Sequence, residues 1–200
     1  MNNRKMKDLF VNRFKYYKSL GDKSFAQLSD EQIFWQYNDE SNSIAVIVKH
    51  IAGNMLSRWT NFLTEDGEKL WRNRDDEFVN TFKNKQEIID LWEKGWECFF
   101  NALDQINDEN LYSTIYIRGE AHSFLDAVLR QLAHYPYHIG QIVSIAKMIK
   151  NDGWKTLSIE RNKSQEFNIE MKDRFSREEQ GSGSSPVCFQ NSPEVRDEYK

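Results

Sequence analysis

At 200 residues, the chain is long enough for one domain with a substantial core and short for two. Its 39% hydrophobic and 14% aromatic content excludes a largely disordered chain, and only nine Gly and three Pro disfavour a fold of many short strands. The 27 basic and 31 acidic residues are interspersed along the sequence without a basic stripe, which argues against nucleic acid as a partner.

Two further absences indicate where the protein resides. The opening segment MNNRKMKDLF has no apolar stretch typical of a signal peptide, and no run of about 18 apolar residues follows, so we expect no membrane partner. The two cysteines, Cys98 and Cys188, are too few for a disulfide framework or a thiolate metal site. A cytoplasmic location fits these features best.

Apolar residues recur at three- and four-residue steps in four long segments, which predicts four helices. They are helix one over 3–20, helix two over about 42–63, helix three over 85–106, and helix four from about 121 to 151. A short helix is predicted in the first connection, near residues 29–35. The alternating segment LYSTIYIRGEAHSF predicts an extended turn before helix four.

The composition changes after Gly153, where the chain becomes polar. From about residue 176 it holds Gly, Ser and Pro punctuation and few apolar residues, which is typical of a mobile linker or tail. We therefore predict one domain over residues 1–175 and a mobile polar tail over residues 176–200.

Three of the four histidines occupy equivalent positions beside apolar helix faces. His134 and His138 lie four residues apart on helix four, so both imidazoles can reach one ion, although such a pair also occurs on ordinary surfaces and at interfaces. His50 flanks the apolar face of helix two in the same way, and all three could converge if helices two and four pair. His122, twelve residues before His134, points elsewhere and is interpreted as a cap or surface histidine.

Three neutral imidazoles would hold one divalent transition metal and leave at least one coordination position for a water or a thiol. Nickel and zinc both suit imidazole, so the ligand type does not choose between them.

Polar residues beside these histidines are candidates for binding a substrate or cofactor. Asn54 and Arg58 follow His50 on one face of helix two, and Arg130, Gln131 and Gln141 lie along the histidine face of helix four. They could orient the ligand histidines or hold an anion, or they could form a solvated helix face with internal ion pairs.

Several other residues admit two interpretations. Trp59 and Tyr137 could line a pocket mouth or belong to the core, and Pro136 could adjust the aim of the histidines or simply kink helix four. Cys98 is interpreted as a small buried hydrophobe and not as a nucleophile, because helical spacing places no base beside it.

The segments NSIAVIVKHIAGNMLSRWTNFLTEDGEKLWRNRDDEF and YIRGEAHSFLDAVLRQLAHYPYHIGQIVSIAKMIK resemble the DinB/YfiT-like superfamily of metalloproteins, and particularly a small uncharacterised bacterial subfamily. The resemblance spans roughly residues 5–172 and is closest at SRWTNFLTEDGEK and HYPYHIGQI. It implies an all-α four-helix bundle of unusual connectivity, here with a short extra helix and an irregular C-terminal tail. It also implies a metal held by one histidine of helix two and two of helix four, which are His50, His134 and His138.

This superfamily includes bacillithiol- and mycothiol-dependent transferases and isomerases, so the resemblance implies a low-molecular-weight thiol as a possible cofactor. The leading hypothesis is a metal-dependent enzyme, either a thiol S-transferase or a hydrolase, acting on a small molecule. The alternative is a non-catalytic metal-binding or dimerisation module. Superfamily relatives often pair and the helices carry more aromatic surface than four inward faces need, which together predict a homodimer.

Overall fold

The computed structural model describes residues 6–107 and 109–181, with side chains described as far as residue 176. This part of the chain is mostly helical, as predicted, with five α-helices and one small antiparallel sheet. The elements are α1 Met6–Phe25, α2 Ile44–Trp59, α3 Lys85–Asp104, β1 Thr114–Ile117, β2 Glu120–Ser123, α4 Phe124–Lys150 and α5 Ser164–Gly181. Single turns of 3₁₀-helix occupy Gln32–Phe34, Asp75–Phe78 and Asn151–Gly153.

The chain divides into two compact units, one spanning Lys5–Gly153 and the other containing α5. Residues 176–181 of the predicted tail are helical, since α5 continues to Gly181. Residues 182–200 lie outside the described residues, so the mobile tail and its boundary at residue 175 stay predictions. None of the described helices is long and apolar enough to cross a bilayer.

Side-chain caps explain where three of the helices begin. Ser43, Asn84 and Ser123 each accept a hydrogen bond from a backbone N–H of the first turn of α2, α3 and α4. The predicted extended turn is the β1–β2 hairpin, whose tight turn places Arg118 and Gly119 at φ 58° and 76°. Because Ser123 caps α4, the prediction that this helix starts near residue 121 was wrong by three residues.

Four helices of the first unit pack around an aromatic core. Helix α2 packs against α3 and α4, and α1 packs against the same two helices. The rings of Phe14, Phe99 and Tyr135 meet edge to face at 4.5–6.1 Å, beneath the buried Trp96. Helix α4 continues through Pro136 and therefore carries both predicted ligand histidines on one continuous element.

A loop segment covers the polar face of α2. This covering segment, residues 64–82, is held by Ser57 Oγ, which donates to Gly67 O at 2.9 Å and accepts from Lys69 N at 3.1 Å. Further along, Lys49 Nζ donates to Asp76 O at 2.7 Å and to Thr81 Oγ1 at 3.0 Å. As a result, α2 is buried on nearly all sides, including positions that a two-sided amphipathic helix would expose.

Candidate metal centre

The structure brings together the three histidines that the sequence singled out. His134 Nε2 lies 3.4 Å from His50 Nε2 and 3.1 Å from His138 Nε2. One nitrogen of each ring lies within 4.8 Å of the others, and no other His, Cys, Asp or Glu among the described residues joins this group. The predicted pairing of α2 with α4 is the contact that allows this convergence.

Hydrogen bonds at the opposite nitrogen of each ring fix how the histidines are oriented. His50 Nδ1 lies 2.9 Å from Glu77 Oε2, and His138 Nδ1 lies 2.9 Å from Gln141 Oε1. His134 Nδ1 lies 3.4 Å from Gln131 Oε1, a longer contact. With Nδ1 protonated and donating to these carboxylate and amide oxygens, each Nε2 would present its lone pair.

This arrangement fits a transition-metal ion. Three lone pairs directed at one another repel unless a cation or proton lies between them. Two nitrogens bound tetrahedrally to one ion at about 2.05 Å would be about 3.3 Å apart, close to the 3.4 and 3.1 Å that separate His134 Nε2 from the other two. The three histidines could therefore hold one metal ion.

Burial keeps the histidines of α4 neutral, which metal binding requires. The pKa of His134 falls to about 3, mainly through loss of solvent and secondarily through the nearby charges of His138 and His50. Burial also lowers the pKa of His138, although the Gln141 hydrogen bond opposes the shift.

Glu77 is the residue of this site that sequence reasoning missed. It comes from the covering segment, is 5% exposed, and accepts hydrogen bonds from Arg72 Nε at 2.7 Å and Arg72 Nη2 at 3.0 Å. Burial alone would raise the pKa of Glu77, but the hydrogen bonds from His50 and Arg72 and the Arg72 charge lower it. The result is a buried carboxylate that supports His50, whose ring also stacks on Phe78 at 5.4 Å.

Gly53 was the one sequence signal that could have pointed to this contact. It lies inside α2, three residues after His50. Glycine in a helix interior lowers helix stability, so its presence there suggests that a side chain would not fit. A Cβ at this position would collide with Glu77 Oε1. The glycine therefore makes room for the carboxylate that orients His50.

The predicted binding residues differ in their contacts and in their exposure to solvent. Gln141 and Gln131 orient ligand histidines, as described above, whereas Asn54 accepts a hydrogen bond from Tyr135 Oη at 3.1 Å. Arg58 is buried, and Arg130 is exposed.

Among the remaining candidates, Trp59 is a core residue, whereas Tyr137 is not. His122 lies in β2, outside the histidine group, with Nδ1 2.7 Å from Asp126 Oδ2. Trp59 is a core residue, 2% exposed, while Tyr137 is 63% exposed with its ring centroid 4.8 Å from that of His138. Cys98 is half-buried, and burial raises the pKa of its thiol.

An open cavity of about 430 Å³ adjoins the centre through Gln141. Its walls come from α2, α4 and the segment between α1 and α2, and they include Trp35, Ile47, Gln141, Ile145 and Met148. Its size is within the range of small-molecule pockets.

The sequence was also compared with models of protein families. A family model described as a protein of unknown function, DUF1572, matches residues 3–163. The chain belongs to the DUF1572 family. The DUF1572 match includes the three histidines, Glu77 and both supporting glutamines. No curated protein and no solved structure matches the chain.

Proposed function

We propose that this DUF1572 protein binds one divalent transition metal, nickel or zinc, through His50, His134 and His138. The observation that carries the proposal is the convergence of three Nε2 atoms whose rings are each held from the Nδ1 side. Hydrogen-bond acceptors behind ligand histidines are a regular feature of metal sites, and they distinguish this cluster from three adjacent surface histidines.

We further propose that α1–α4 form a four-helix bundle of the DinB/YfiT-like type. Mutual packing of these four helices supports this, as does the origin of the ligands, one from α2 and two from α4. The same distribution is implied by the sequence resemblance to that superfamily.

The proposed activity is that of a metal-dependent enzyme, a thiol S-transferase or a hydrolase, acting on a small molecule. When bound, the metal would supply Lewis-acid activation of a thiol or a water. His134 and His138 are only half-buried, so the centre is accessible on the α4 side. Gln141 contacts His138 Nδ1 and also lines the 430 Å³ cavity. A substrate bound in this cavity would therefore lie on the Nδ1 side of His138.

Metal analysis of protein purified without a histidine tag tests the metal site. We expect about one metal ion per chain in the wild type and loss of stoichiometric metal in His50→Ala and His138→Ala. His122→Ala is the matched control, because His122 is the fourth histidine and lies outside the cluster. Unchanged metal content in His50→Ala and His138→Ala would overturn the assignment.

Cobalt substitution separates the possible activities. If the centre activates thiols, a low-molecular-weight thiol should add sulfur-to-cobalt charge-transfer absorption that a water ligand lacks. If azide perturbs the cobalt spectrum and millimolar thiol does not, the proposed activity becomes hydrolysis and thiol transfer is abandoned. If neither ligand reaches the cobalt, the non-catalytic metal-binding or dimerisation module is the better description.

A further inference from the structure

Arg58 is a buried cation with two unsatisfied nitrogens. Its side chain lies on α2 and is 4% exposed, and its buried Nε and Nη1 atoms have no hydrogen-bond acceptor among the described residues. None of the described carboxylates forms an ion pair with it, although its neighbour Arg72 has two. Burial lowers the pKa of Arg58, which shows how poorly its surroundings solvate the charge.

The charges of Glu68 and Asp66 act on Arg58, but both carboxylates are hydrogen-bonded to other groups. Glu68 accepts from Arg118 Nε at 3.0 Å and lies 3.6 Å from Arg72 Nη1. Glu77 is held by Arg72 and His50. A buried guanidinium without acceptors is unfavourable, and the oxygens of an anionic ligand would supply those acceptors.

The position of Arg58 relates it to the histidine centre. Arg58 follows His50 by eight residues on α2, with Asn54 halfway, so the three lie along one face of the helix. The covering segment passes over this face at Gly67, where a Cβ would lie 2.9 Å from Arg58 Cδ and 3.2 Å from Nη1. Gly67 therefore packs directly against the Arg58 side chain, and a larger residue at this position would displace the guanidinium.

We propose that Arg58 binds the oxyanion group of a small-molecule ligand, either a carboxylate or a phosphate. The site would anchor the charged end of the substrate on the same α2 face as His50. Anion binding by Arg58 stands independently, whereas the role of that anion as part of a substrate rests on the proposed function.

The test uses metal-stripped full-length protein, so that anions cannot bind through an ion at the histidines. Melting temperature is measured against increasing inorganic phosphate and, separately, acetate, with chloride replaced to keep ionic strength constant. We expect an oxyanion that binds at Arg58 to raise the melting temperature of the wild type. If both anions do so, the one with the lower half-saturating concentration, phosphate or acetate, identifies the preferred class of ligand. In Arg58→Met the half-saturating concentration should rise by about tenfold or more.

Two variants control this measurement. Arg13→Met removes an exposed arginine of α1 and should leave the oxyanion effect unchanged. Gly67→Ala places a methyl group against the guanidinium and should weaken the effect while Arg58 is still present.

The stability of Arg58→Met without added anion distinguishes a ligand site from a structural role. Removing an unpaired buried charge should leave the melting temperature unchanged or raise it, because methionine fills the space without needing a partner. A lower melting temperature, or an oxyanion response equal to that of the wild type, would overturn the proposal. The metal analysis of the wild type is a separate outcome. If Arg58→Met loses the oxyanion effect and the wild type takes up no metal, the Arg58 site is upheld and the metalloenzyme proposal is removed.

Discussion

Ring orientation, and not histidine spacing alone, decides whether the three imidazoles can share an ion. A histidine placed four residues from another can still turn either nitrogen toward it. In this protein the Nδ1 acceptors settle the choice, and the strongest is Glu77, a carboxylate held by two hydrogen bonds from Arg72. The support behind His50 is therefore part of the proposed metal centre.

We predict that Glu77→Gln binds metal with about 10- to 100-fold lower affinity, because the amide leaves His50 without an anionic acceptor. Stoichiometry should stay near one, since all three ligands are present. Competition with a chelator of known affinity measures the change. Glu68→Gln is the control, because Glu68 also interacts with Arg72 but contacts none of the ligand histidines. Equal affinities of the two variants would show that Glu77 does not orient His50.

Cys98 gives a prediction at the same scale. Burial raises the pKa of its thiol above the usual value, although the Thr60 hydroxyl at 3.6 Å partly opposes the shift. Since the thiolate is the reactive form, iodoacetamide should alkylate Cys98 more slowly than free cysteine at pH 7–8, with the rate increasing as pH rises. Mass spectrometry of a Cys188→Ser variant follows Cys98 alone. Alkylation as fast as that of free cysteine would restore Cys98 as a candidate nucleophile.

Helical periodicity predicted the part of the site that lies within single helices. Gln141 and Gln131 each lie three residues from the histidine they contact, so they were visible as candidates. Glu77 lies 27 residues from His50 on a loop whose path no periodic pattern defines. Arg58 does not fit the interpretation of a solvated helix face with ion pairs, because it is buried and forms no ion pair with the described acidic residues.

At the scale of elements, the four long helices were predictable because each has a continuous apolar face. The covering segment was not, because its position depends on contacts such as Ser57 Oγ with Gly67 O and Lys49 Nζ with Asp76 O. These contacts join a loop to the polar side of α2. They convert a helix face that should be exposed into the wall of the site.

Two helical glycines should respond in opposite ways to alanine. Gly140 lies in α4 with open space around its missing Cβ, so Gly140→Ala should raise the free energy of unfolding by about 0.5–1 kcal/mol. In Gly53→Ala the new methyl group would displace the Glu77 carboxylate from His50 and Arg72. We expect this variant to gain no stability and to bind metal more weakly, as measured by urea unfolding and chelator competition. A gain of stability with unchanged metal affinity would mean that Glu77 moves without consequence.

For the whole molecule, we propose the homodimer that the sequence predicted. The described surface exposes several large aromatic side chains, including Tyr37 at 73%, Trp71 at 62% and Tyr112 at 71%. Association would be favoured where such exposed aromatic side chains form a contiguous patch. Light scattering at micromolar concentration should give about twice the chain mass of 23.8 kDa. A mass equal to one chain would remove this prediction.

Metal binding should couple the elements of the first unit, because the ligands come from α2 and α4 and the support for His50 comes from the covering segment. An ion that binds only the folded state adds about 4 kcal/mol when its free concentration is about 1,000 times its dissociation constant. In a chain of 200 residues each kcal/mol moves the melting temperature by about 2–4 °C, so loading should raise it by about 8–16 °C. Calorimetry with and without a chelator measures this difference. His122→Ala should show the full rise, Glu77→Gln a smaller one, and His138→Ala almost none. A full rise in His138→Ala would place the stabilising ion somewhere other than the three histidines.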